Sequence, residues 1–196
     1  RWTPIDDLIG ALEAQQHRRF IKSHLPLDGL PFFPQAQYIV VGRDTRDVFM
    51  SLWNHHSNYT PAGLEMLTSY VNETPGRVGQ RCPTPPEDIH LFWREWISQG
   101  WFAWESEGYP YWGNLHHTQS WWGYRHLPNV LIVHYNDLLA DLAGEVGRIA
   151  AFLQIPLADE ALPGMMQALR LDAMRDEQVR VDSAEPNRPS AFTDGA

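Results

Sequence analysis

The sequence predicts an α/β fold around a parallel sheet, and three observations carry that expectation. Two apolar runs rich in β-branched residues, YIVV and VLIV, read as strands buried on both faces. A pattern of helical period follows each of them. The stretch joining them is far too long for a hairpin, so it reads as a crossover between parallel strands.

The elements follow in order. Thr3 is placed to cap a first helix, with Pro4 at its first position, Asp6 and Asp7 at the positive end of the dipole, and Ile5, Leu8, Ile9 and Leu12 on one apolar face. Arg19 to Lys22 is predicted as a short strand and Gln37 to Gly42 as a second. Asp44 or Thr45 then caps a helix whose Val48 and Leu52 face the core, with Ser51 off that line. A Thr-Pro start and Leu64, Leu67 and Val71 predict a helix from Thr60 to Val71. Asn72 to Glu87 is rich in Pro and Gly and reads as a mobile loop. Helices are expected over Glu87 to Ser98 and Asn114 to Tyr124, and a third strand over Val130 to Tyr135. Leu142, Val146, Ile149, Ala150 and Leu153 then mark an amphipathic helix, and the polar tail from Asp182 reads as flexible.

Composition bounds the function. A chain of 196 residues, 43% hydrophobic and 20% charged, suits one globular domain over 1–196. No apolar run approaches the roughly 20 residues that span a bilayer. A single cysteine, Cys82, cannot close an internal disulfide, which makes a reducing cytoplasm the expected location. A net charge of −9 repels nucleic acid, so any anion must be caught locally. Nine tryptophans are the other oddity, and Trp93, Trp96, Trp101, Trp104 and Trp112 crowd together. They read either as core packing or as a wall for an apolar or aromatic acceptor.

The residues with chemical promise lie at strand ends, where open α/β sheets bind ligands. Arg43 follows a strand and precedes a helix, so its guanidinium and the free N–H groups of the helix start could together grip a phosphate. A surface ion pair with Asp44 or Asp47 is the plainer alternative. Ser51 lies about two turns along the helix, roughly 10 Å, so a phosphate shared with Arg43 would lie beside the helix rather than off its tip. His24 can take a proton from a hydroxyl near neutral pH, and Lys22, two residues earlier, can offset developing negative charge. An ordinary packed or solvated histidine is the competing reading.

KSHLP (Lys22–Pro26), YIVVGRDTRDVFMS and VLIVHYNDLLAD, in that order and spacing, resemble three blocks of the cytosolic-type sulfotransferases that use 3′-phosphoadenosine 5′-phosphosulfate (PAPS). The resemblance covers roughly Arg18 to Leu153. It implies a P-loop NTPase-like three-layer sandwich with a central parallel sheet. The activity implied is transfer of a sulfuryl group from PAPS to a hydroxyl or amine of a small-molecule acceptor, leaving adenosine 3′,5′-bisphosphate. Position by position, His24 matches the family's catalytic base and Lys22 the lysine of the same motif. Arg43 and Ser51 match the pair that holds the cofactor's 3′-phosphate, and Tyr135 matches the tyrosine that contacts the adenine. His117 falls near the family's substrate-side histidine.

The sequence departs from the family at both ends. The 17 residues before Arg18 carry no strand, glycine-rich loop and helix, and AFTDGA lacks the family's basic closing motif. Leu171 stands where the LDAM segment resembles a helix with an adenine-packing aromatic. The expectation is an internal portion of a longer enzyme, inactive by itself. A sulfotransferase-like binding protein without catalysis is the alternative, and a P-loop nucleotide kinase a weaker one. His55-His56 and His116-His117 lack metal-ligand spacing, so no metal is expected. Asp137 has no GxxxxGK[ST] partner, and no serine sits in a GxSxG elbow.

Overall fold

Strand β1 (Tyr38–Gly42) and strand β2 (Val130–His134) pair in parallel, in register from Tyr38 opposite Val130 to Gly42 opposite His134. The computed structural model describes residues 4–73, 81, 83–84, 86–110, 113–170 and 172–176. Most of the expected 72–87 loop, Cys82, Trp112, Leu171 and the tail from Asp182 fall outside the described residues.

The helices are α1 (Ile5–Glu13), α2 (Thr45–Ser57), α3 (Pro61–Glu73), α4 (Ile89–Ser98), α5 (Leu115–Trp122), α6 (Tyr135–Ala140), α7 (Leu142–Leu153) and α8 (Leu162–Ala168). Several starts carry the caps that their sequences call for. Asp44 accepts the Arg46 N–H at 2.8 Å, Asp88 accepts the His90 N–H at 2.8 Å, Asp141 accepts the Gly144 N–H at 2.9 Å, and the Thr60 hydroxyl accepts the Gly63 N–H at 3.1 Å. Pro4 occupies the N-cap of α1 rather than its first turn, and contributes no side-chain cap.

The predicted parallel sheet is present, and with helices packed around it the chain has an α/β fold. Two details of the sequence reading are corrected. Arg19 to Lys22 is not a strand. A strand needs a neighbour for its N–H and C=O groups, and among the described residues this segment has no ladder, with Phe20 92% and Ile21 83% exposed. Likewise the YIVV strand is covered on one face only. Val40 is buried, whereas Ile39 and Val41, which alternate to the other side, are 38% and 56% exposed.

Burial of two apolar clusters fixes the layout. Leu27, Val40, Trp121 and Val130 form one, with Tyr38 and Ile132 against it, so α5 and the short 3₁₀ turn Leu27–Gly29 lie over one sheet face. Phe49, Phe92 and Trp96 form the other and lock α2 to α4. Phe49 meets Phe92 at 5.1 Å and Trp96 at 5.6 Å between ring centroids, both in tilted contacts within the range where aromatic pairs attract. The tryptophan-rich segment is thus partly core. Trp96 is fully buried, while Trp104 is 79% exposed.

Candidate nucleotide and acceptor site

The parallel register builds the first half of the site. Gly42 and His134 are the last ladder pair, so Arg43 and Tyr135 leave the two strands side by side, about 4.8 Å apart along the hydrogen-bonding direction. The Arg43 guanidinium carbon lies over the Tyr135 ring, 4.5 Å from its centroid. This cation–π contact orients the cation at the carboxyl edge of the sheet. His134 assists from the backbone side, because its Nδ1 accepts the Asn136 N–H at 3.2 Å and starts α6 immediately beyond the strand.

From there the site runs along α2. Arg43, Val48, Ser51, Leu52 and His55 line a depression of about 230 Å³ beside the helix, where the sequence had put a phosphate shared by Arg43 and Ser51. Among the described residues the Arg43 Nε is buried and has no hydrogen-bond partner. A buried donor left unmade costs free energy. The plainer alternative, a surface ion pair, is only weakly realised. Arg43 Nε stands 3.9 Å from Asp47, and Asp44 is engaged by Arg46 instead, at 2.7 Å.

That pairing also corrects the expectation of free N–H groups at the helix start. Asp44 already accepts from the Arg46 N–H, and hydrogen bonds from Arg46 hold its carboxyl well below the usual carboxylate range. A carboxylate at the tip of α2 repels an anion there. The binding surface is therefore the side of the helix.

The second half gathers on the segment before the 3₁₀ turn and on α5. Partial burial lowers the His24 pKa from its ordinary value, and the nearby Lys22 cation lowers it further. His117 is lowered by burial first, then by His24 and His116. Lys22, His24 and His117 therefore share one electrostatic neighbourhood, although the strand expected to carry the first two is a loop. Two contacts hold that loop against α5: the Leu27 N–H donates to the Ser120 hydroxyl at 3.0 Å, and His116 Nε2 meets Asp28 at 2.9 Å. Asn114, just ahead of α5, donates from Nδ2 to the Thr45 hydroxyl at 2.9 Å, tying this region to the first turn of α2. Glu107, buried, accepts the His116 N–H at 2.6 Å and fixes the start of α5.

Sequence reasoning did not single out Asp28, Asn114 or Glu107, whose roles depend on distant partners. It weighed His55 only as half of a metal pair, although its place four residues after Ser51 could have put it on the same helix face. Among the described residues no group of three or more potential metal ligands occurs. A larger open depression, of about 780 Å³, lies between α7 and α8, but Asp141, Asp172 and Asp176 outnumber its Arg170, which Asp172 already pairs. Its sign disfavours a nucleotide.

A family model described as the sulfotransferase domain matches residues 3–192. The chain belongs to the sulfotransferase domain family. A glycolipid sulfotransferase of Mycobacterium bovis (strain BCG / Pasteur 1173P2) is 36% identical over 197 residues, which cover 94% of this chain and 58% of that protein. Human sulfotransferase 2B1 is 28% identical over 176 residues, 87% of this chain and 40% of that protein. Among solved structures, retinol dehydratase in complex with androsterone and inactive cofactor PAP superimposes with a TM-score of 0.64 at 24% identity, over 97% of this chain and 51% of that chain. The fold is thus that of the sulfotransferases, and the chain spans between 40% and 58% of the length of these relatives. Among the described residues no helix is long and apolar enough to cross a membrane.

Proposed function

We propose that this chain supplies the 3′-phosphate, adenine and acceptor-activating parts of a PAPS-dependent sulfotransferase. The observation that carries the reading is the convergence of Arg43, Ser51 and Tyr135. Arg43 links the two places: its guanidinium lies over the Tyr135 ring at the carboxyl edge of the parallel sheet, and it lines, with Ser51, the depression beside α2.

PAPS supplies the activated sulfuryl group when bound. Arg43 and the Ser51 hydroxyl would hold the ribose 3′-phosphate by charge-assisted hydrogen bonds, and Tyr135 would flank the adenine. His24, kept neutral by its lowered pKa, would accept the proton of the acceptor's hydroxyl or amine as that atom attacks sulfur in line. Lys22 would offset the charge that develops during transfer, and His117 would line the acceptor side. Positioning and charge stabilisation then supply most of the rate. The naming of relatives at 36% identity as glycolipid sulfotransferases favours a glycolipid hydroxyl as acceptor.

The test is transfer of radiolabelled sulfate from PAPS by the intact protein to a panel of glycolipids, sterols and phenols. Labelled product in the glycolipid fraction supports the proposal. Retention on immobilised adenosine 3′,5′-bisphosphate without turnover of any acceptor would instead make it a binding protein. Failure to be retained at all would remove the nucleotide reading.

A further inference from the structure

We propose that His55 is a third ligand of the nucleotide's 3′-phosphate, acting with Arg43 and Ser51. The inference rests on the reading of that depression as the 3′-phosphate site and adds to it the residue that closes the far end.

Helical geometry supplies the first argument. Asp47, Ser51 and His55 follow Arg43 at steps of four residues, so they form one stripe along α2, each about 6 Å beyond the last. Of these, Ser51 and His55 line the same depression as Arg43, and Asp47 does not. Its polar lining is therefore a guanidinium, a hydroxyl and an imidazole, with no carboxylate among them. Such a set suits a phosphate monoester, which needs several donors around its oxygens.

The second argument is the hydrogen bond that orients the ring. Tyr59 lies one turn further on, and its hydroxyl is 2.8 Å from His55 Nε2. With that hydroxyl donating to Nε2, the proton of a neutral ring is carried by Nδ1, which makes Nδ1 the donor. Partial burial lowers the His55 pKa, so the unliganded ring is neutral at pH 7 and a phosphate dianion would favour its protonated form. Groups that face it include Arg43 across the depression, Asp47 on the stripe, the His56 ring at 5.5 Å and the Tyr59 ring at 5.0 Å. Asp47 is drawn toward Arg43 rather than into the depression.

The experiment is calorimetric titration of the intact protein with adenosine 3′,5′-bisphosphate and, separately, adenosine 5′-monophosphate. H55F should weaken the bisphosphate by about tenfold, the share of one hydrogen bond to a charged group, and leave the monophosphate unchanged, while H55Q, which keeps a donor, should recover most of the loss. In the wild type the His55 ring ¹⁵N resonances should move on adding the bisphosphate and stay put with the monophosphate, a readout that needs no folded variant. If H55F binds the bisphosphate like wild type while R43A does not, or if the His55 resonances are unmoved, the His55 assignment is overturned and the Arg43 site stands. If the wild-type protein does not distinguish the two nucleotides, the 3′-phosphate reading itself falls.

Discussion

Replacing Arg43 with alanine separates a ligand-binding arginine from a structural one, because the two roles differ in size. In the folded protein Arg43 makes one long ion pair, 3.9 Å to an Asp47 whose side chain is half exposed, and one cation–π contact at 4.5 Å. The ion pair contributes at most about 1 kcal/mol and the cation–π contact about 0.5–1 kcal/mol. Removing a buried nitrogen that lacks a partner offsets part of that loss. Stability should therefore fall by no more than about 1 kcal/mol, read as a small shift in the urea midpoint at constant slope. A hydrogen bond to a charged ligand group is larger, about 2 kcal/mol, which corresponds to roughly a 30-fold weaker dissociation constant. Calorimetry with adenosine 3′,5′-bisphosphate reads that number directly, and adenosine 5′-monophosphate serves as the control that should not change. Equal bisphosphate affinity in wild type and variant, or a stability loss above about 3 kcal/mol, would refute the reasoning and make Arg43 a structural residue.

Replacing His24 with alanine should lower turnover by roughly 100-fold or more while donor affinity holds; and because burial and Lys22 keep the His24 pKa below its ordinary 6.5, the acid limb of the wild-type rate profile should lie below that pH. His56 is buried and its pKa is pushed down to about 3 by burial, with His55 adding to the effect. The unfolded chain then binds the proton first as pH falls, so stability is full above about pH 6.5 and drops on the order of 1 kcal/mol per unit between 6 and 4. Urea midpoints of wild type and His56→Leu at pH 7 and 5 check this, the variant losing less on acidification. Phe92, fully buried against Phe49 and Trp53, should cost about 3–5 kcal/mol as alanine, measured by the same unfolding curves.

Much of the secondary structure was legible because its signals are local. The YIVV and VLIV runs announced β1 and β2, and Asp44 and Thr60 stand in positions where side-chain oxygens meet unpaired N–H groups at helix starts. Arg19 to Lys22 misled for the same reason. Its residues favour extended backbone, but a strand also needs a paired neighbour, which no local pattern supplies. Burial of both faces of β1 was likewise inferred from apolar content alone, and the other face of Ile39 and Val41 proved open.

By itself the sequence determined which residue types stand at the strand ends, and in what order, because hydrophobic periodicity and capping act over a few residues. It could not decide that Arg43 lies over Tyr135, or that Val40 rather than Ile39 and Val41 faces the covered side of the sheet. Those facts depend on strand register and on rotamers chosen by neighbours distant in the chain. Only the folded packing of β1 beside β2 makes that choice.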